Sequence, residues 1–311
     1  MSTLLSRVAE NLYWAARYLE RAEGTARVVR EHTNLLIDIP TSVLTSWEPL
    51  LTITGAEDFD ALDESAIVQH LVADTKNPGS IISSVAQARE NLRTCREIIP
   101  VSAWNAVNDL HLYVTARAPE GVARQSRTRF TDHVIGEHQR IMGILTTMMS
   151  RDEAYTMLRL GRHVERADMT TRVLDVLATS LLSDNAPGAG LYDDLLWSSL
   201  LRSLSASQMY QRDPGRTDGA AGALDFVLHT SSFPRSVRYC LESVRESVQR
   251  LPRPSATLAA VDMSLSILST VDPAQLSADG VHNMVDRMEI AIGNVHNEIS
   301  MAYFTAFDAS H

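Results

Sequence analysis

Apolar residues along this 311-residue chain recur at steps of three and four almost throughout, and the strict alternation that marks a strand is nearly absent. The first helical pattern runs from about Thr3 to Ile37 and stops before Asp38-Ile39-Pro40, where proline fixes the backbone and removes a donor. Shorter patterns follow near Val43–Thr52 and Ser65–Val72, around a Gly55-Ala-Glu-Asp loop. Pro78-Gly79 opens the next helix, which reaches Ile99 and ends at Pro100. Ser102–Thr115, Gly121–Met149 and Asp152–Leu182 read as three more, the last closed by a breaker-rich loop at residues 183–190. Beyond it come Tyr192–Tyr210, Gly219–His229, Ser236–Leu251, Thr257–Val271 and Gln275–Phe307. The pattern predicts an all-α fold, a large bundle of about eleven helices. It reads as one helical domain over residues 1–311, or as two half-bundles joined near 183–190.

Two of these helices carry nearly the same text. Arg17-Tyr-Leu-Glu20-Arg21-Ala22-Glu23-Gly-Thr25-Ala-Arg27-Val28 returns 145 positions later as Arg162-His-Val-Glu165-Arg166-Ala167-Asp168-Met-Thr170-Thr-Arg172-Val173. At roughly 100° per residue, Leu12, Leu19, Ala22, Ala26 and Val29 share one side of the first helix, with Arg17, Glu20, Arg21 and Arg27 mostly on the other. The second copy divides alike. Glu23 with Arg27, and Asp168 with Arg172, are acid-first pairs one turn apart, the favourable order. Arg17/Arg21 and Arg162/Arg166 are like-charge pairs at the same spacing, which an isolated helix would avoid.

A solvated face laced with weak ion pairs tolerates any charge order. Recurrence of one order favours two helices facing each other across a polar seam of Arg–carboxylate pairs. Such a seam either fixes register or leaves a guanidinium fork for a carboxylate or phosphate, which arginine recognises bidentately. Arg17, Arg21, Arg27, Arg162, Arg166 and Arg172 are the candidate anion-binding residues, with Glu23, Asp168, Tyr13, Trp14, Trp104 and Asn105 in support. Tyr13, one turn before Arg17, is placed to stack on that guanidinium. Glu20 and Glu165 are the candidate acid/base pair.

The run Asn11-Leu-Tyr-Trp14-Ala-Ala-Arg17-Tyr-Leu-Glu20-Arg21-Ala22-Glu23 resembles the opening of the alpha-E family, a bacterial all-helical domain named for its Glu-Arg motif. The second motif, Arg89-Glu90-Asn91 with Trp104-Asn105-Ala-Val-Asn108, and Phe233-Pro234-Arg235-Ser236-Val237 are similar to further segments of that family. The resemblance covers essentially the whole chain. It implies partners: a circularly permuted ATP-grasp protein and a transglutaminase-like peptidase, hence peptide or amide-bond metabolism.

Composition narrows the chemistry. A formal net charge of −10 argues against a general nucleic-acid or anionic-membrane binder. Lys76 is the only lysine, sitting in a Thr-Lys-Asn-Pro turn, so Schiff-base and P-loop chemistry have one poor candidate. Cys95 and Cys240 form no CxxC and read as inert buried thiols. No secretory leader opens the sequence and no apolar run approaches the roughly 20 residues that cross a bilayer, so a cytoplasmic location is expected. His282, Asp286 and Glu289 share a face of the last helix and are weak candidates for a metal; His133…Glu137-His138 lacks zinc-motif spacing. No metal or cofactor is implied. Three readings follow: an accessory subunit of an ATP-grasp-type peptide or amide ligase, binding an anionic peptide end or the partner through the seam; an enzyme using Glu20 and Glu165; or a scaffold.

Overall fold

The computed structural model describes residues 4–38, 46–56, 59, 63–182 and 192–305. Fourteen α-helices follow one another with no strand among the described residues. They are α1 (Ser6–Asp38), α2 (Glu48–Thr54), α3 (Glu64–Val72), α4 (Ile81–Arg93), α5 (Val101–Val122), α6 (Arg124–Met148) and α7 (Glu153–Val173). A π-turn at Leu174–Ala178 carries α7 into α8 (Thr179–Leu182). Then come α9 (Asp193–Ser203), α10 (Ser207–Arg212), α11 (Ala220–His229), α12 (Val237–Val248), α13 (Ser255–Ser269) and α14 (Ala278–Tyr303). The expected all-α bundle is what forms, in more pieces than the periodicity suggested. The expected half-bundle junction at 183–190 lies outside the described residues.

Local chemistry starts the helices where the sequence offers a cap. Asp63, Ser80, Asp152, Ser236 and Ser277 each accept a backbone N–H of the first turn. The break expected before Gly121 falls instead at Ala123, whose ψ of 123° ends α5 after a single extended residue. Gly121 is inside α5 because a Cβ there would lie 2.6 Å from the Phe130 ring and 2.8 Å from Val72. Packing, and not a turn, demands that glycine. The helix expected over 192–210 is split at Leu204–Ala206, with Ser205 at φ 54°.

The core is built around α1, which is buried on every side and not on one face. It packs against α4, α6, α7 and α9; α5 covers α4 and α6, and α12 with α14 flanks α7. One continuous apolar cluster reaches from Leu12 through Leu110 and Leu160 to Ile299. No described helix is long and apolar enough to cross a membrane.

Candidate functional site

Helices α1 and α7 run parallel, with equivalent residues of the repeat meeting each other. A Cβ on Gly161 would sit 2.1 Å from the Tyr13 carbonyl oxygen and 3.2 Å from Ala16, the counterpart of Gly161 in the first copy. Gly24 likewise faces its own counterpart, Met169, at 3.1 Å. These two contacts bring the backbones close enough for short side-chain bonds across the seam. Arg17 Nε donates to Glu165 Oε2 (2.6 Å), and Arg21 grips the same carboxylate through Nε (2.5 Å) and Nη2 (3.1 Å). Reciprocally, Arg166 donates to Glu20 through Nε (2.6 Å) and Nη2 (3.0 Å). Glu20 is 1 % exposed and Glu165 2 %, so this face is not solvated.

The symmetry then breaks. The counterpart of Arg17 is Arg162, yet Arg162 does not reach Glu20. Arg235 Nη1 (3.2 Å) and His138 Nε2 (3.3 Å) take its place. Arg162 has no carboxylate within ion-pair reach among the described residues, and its Nε makes no hydrogen bond. It lines a recess of about 10 Å³. Below, Glu23 accepts from Arg27 and from Arg235 Nη2 (2.8 and 2.9 Å). The Pro234-Arg235 turn is fastened to α7 by Arg166 donating to the Pro234 carbonyl (3.2 Å) and Thr170 to the Arg235 carbonyl (3.1 Å). Arg235 was missed as a site residue although its Phe-Pro-Arg-Ser-Val setting was visible; His138 was seen only as part of a failed metal pattern.

Burial alone would raise the Glu20 pKa, but Arg166 and Arg235 outweigh it and hold the carboxyl well below its ordinary value. Glu165 is buried too and is lowered by Arg17 and Arg21. Burial would depress Arg17 and Arg166, yet Glu165 and Glu20 respectively raise both. Two carboxylates locked in the ionised form beside guanidiniums are weak acid/base candidates. Arg17, Arg27 and Arg166 have their forks committed to protein carboxylates. Of the six arginines expected to take an anion, Arg21 and Arg172 are the ones that border a sizeable cleft.

That cleft, of about 460 Å³, opens at one end of the seam. Arg21, Glu165, Asp168 and Arg172 form one wall. Opposite stand Ile53 and Gly55 at the end of α2, Phe59 stacked on His70 (4.1 Å between centroids), and the Lys76–Gly79 turn. Gly55 has φ 70°, the left-handed cap of α2, and a Cβ there would lie 3.5 Å from Arg172 Nη1. Asp168 pairs with Arg172 Nε at 3.3 Å, and burial pushes its pKa up against that pairing. Lys76, His70 and Phe59 were not among the sequence-predicted site residues; the only lysine of the chain was the available signal.

The remaining candidates scatter. Arg17 lies over Trp14 (5.0 Å) more closely than over Tyr13 (5.9 Å), whose hydroxyl meets His296 Nδ1 at 3.0 Å. Trp104 sits under Arg89 on α5, remote from the α1–α7 pair, and Asn105 is exposed; Asn108 is the residue that accepts from Arg89 (2.8 Å). His282 pairs with Asp175 (2.9 Å) and meets Asp286 (3.7 Å), while Glu289 turns to Arg172 (4.0 Å), so the three weak metal candidates do not converge on one point. No group of three or more metal-ligating side chains forms among the described residues.

An all-helical bundle organised on a twin, interlocked Glu-Arg motif defines the class. The chain belongs to the Alpha-E family, described as a predicted alpha-helical domain with a conserved ER motif, whose model matches residues 4–304. It is similar, at 24 % identity over 310 residues, to proteins named only as uncharacterized from Mycobacterium bovis and from two strains of Mycobacterium tuberculosis. Those matches cover 88 % of this chain and 34 % of each relative, so the chain spans about a third of their length. No solved structure matches this chain.

Proposed function

We propose that the protein is a binding module in which the seam is a rigid charge lock and the cleft at its end takes an anionic peptide end or a phosphate. The observation that carries this is the open cleft itself: the lock seals most of the motif, yet Arg21 and Arg172 line, together with Lys76, a cleft of about 460 Å³. Guanidinium edges and an ammonium are what carboxylate and phosphate recognition requires. The partner expected from the family resemblance is a circularly permuted ATP-grasp protein, with a transglutaminase-like peptidase as a further associate, which makes this chain the accessory subunit of a peptide or amide ligase. That the matched region is only a third of each mycobacterial relative supports a module that works beside other domains.

Calorimetry with peptides ending in a free carboxylate or bearing a phosphate is the test, run beside Arg172→Met. Binding that the variant loses supports the cleft; equal binding by both proteins moves the site elsewhere. A tagged chain that fails to hold a co-expressed circularly permuted ATP-grasp protein would sink the accessory role while leaving the cleft standing.

A further inference from the structure

We infer that the cleft recognises a zwitterion, a short peptide with a free amine and a free carboxylate, placing the amine on Asp168 and the carboxylate on Arg172 and Lys76. This rests on the binding role proposed above and adds the half of the ligand that a purely anionic reading leaves out.

The two acids lining the cleft are not equally satisfied. Glu165 accepts three hydrogen bonds from Arg17 and Arg21, one at Oε1 and two at Oε2. Asp168, nearly one turn further along α7, is one-fifth exposed, and its one ion-pair partner among the described residues is Arg172 Nε, at 3.3 Å. No described residue donates a hydrogen bond to Oδ1, and the charge of Glu165 lies close. Burial raises the Asp168 pKa, Arg172 opposes this, and Glu165 adds to the rise. An ammonium group donating to Asp168 supplies the missing countercharge and favours its ionised form.

The cations have matching vacancies. Arg172 engages Asp168 (3.3 Å) and Glu289 (4.0 Å) through Nε, and neither of its terminal nitrogens donates a hydrogen bond to a described residue; Nη1 lies beside the bare Cα of Gly55. Lys76 is exposed on the facing wall, with no carboxylate in ion-pair reach among the described residues. The same cleft is lined by Ile53, Met169 and the Phe59 ring, which present apolar surface for an aliphatic side chain. A volume of about 460 Å³ falls in the lower half of the range for small-ligand sites, about 300–1,000 Å³, and fits a dipeptide better than a folded partner.

A panel of aliphatic dipeptides in free, N-acetylated and C-amidated forms, titrated calorimetrically into the intact protein, tests this. The free forms bind, and either cap weakens binding about tenfold or more, the usual worth of a charged hydrogen bond. In Asp168→Asn, acetylation loses its effect while amidation keeps its own. In Lys76→Ala, a surface change that leaves the fold alone, the effect of amidation shrinks and that of acetylation persists. Acetylated and free forms binding equally, with amides failing, overturns the zwitterion and leaves an anion site. No binding by any form overturns both readings.

Discussion

Replacing Glu20 with alanine tests the seam most directly. The carboxylate is 1 % exposed and serves Arg166 at 2.6 and 3.0 Å, Arg235 at 3.2 Å and His138 at 3.3 Å. On its loss Arg235 keeps Glu23, at 2.8 and 2.9 Å, whereas Arg166 keeps only the Pro234 carbonyl at 3.2 Å. One largely buried guanidinium is thus stranded. Removing one partner of a buried pair costs about 3–5 kcal/mol, a large part of the roughly 5–15 kcal/mol that holds a domain together. Asp262→Ala is the control: its pair with Arg245 is 44–52 % exposed and is expected to cost about 0.2–1 kcal/mol. Urea melts followed by far-UV circular dichroism give both values. Glu20→Ala/Arg166→Met removes the stranded charge as well and should melt later than the single variant. A Glu20→Ala loss under about 1 kcal/mol, or a double variant weaker than the single, would refute an interior lock.

Gly161→Ala drives a Cβ to 2.1 Å from the Tyr13 carbonyl and should cost at least about 1–3 kcal/mol by overpacking, whereas Gly143→Ala, with nothing within 4 Å, should stabilise α6 by about 0.5–1 kcal/mol; urea melts decide both signs. Acid should loosen the fold in two stages. Burial lowers His32 and His296 to about 4, with Arg17 adding at His296. The stability these neutral rings contribute is present above their ordinary value near 6.5 and fades as pH falls from there to about 4. Below about 4.5, the ordinary value of the carboxyl, the depressed Glu20 adds a second loss. Melts across that range should show both slopes, and His296→Gln should flatten the first. The Cys240 thiol, pushed up to about 12 by burial, should resist alkylation in the folded protein and react on unfolding.

The recurrence of one charge order was enough to bring α1 and α7 together with Arg and Glu inward, because only a facing partner explains like-charge arginines one turn apart. The pairing itself was not legible. Spacing along one helix reports neighbours on that helix, and it correctly joined Glu23 to Arg27 and Asp168 to Arg172. Glu20 and Glu165, by contrast, are claimed across the seam, and Arg235 and His138 arrive from elements whose own periodicity says nothing about α1. Arg162 shows the limit of reasoning by repeat, since an identical residue at an equivalent position has a different neighbourhood. The cleft was hidden for a related reason: its far wall is turn backbone and Lys76, placed by tertiary packing rather than by pattern.

The seam also sets an order of events during synthesis. Of the described helices α1 leaves the ribosome first, carrying Glu20 and Glu23, yet Glu20 meets its partners only when residues 138, 166 and 235 exist, and Arg235 lies 212 positions beyond Glu23. Until then the first helix cannot give up its water on that side, because its carboxylates would be stranded in apolar surroundings. The earliest made of these helices is therefore among the last to be finished, and closing such long loops makes the final step slow. A nascent chain stopped short of the Pro234-Arg235 turn holds a central helix that is still wet, exposing apolar surface that nothing yet covers.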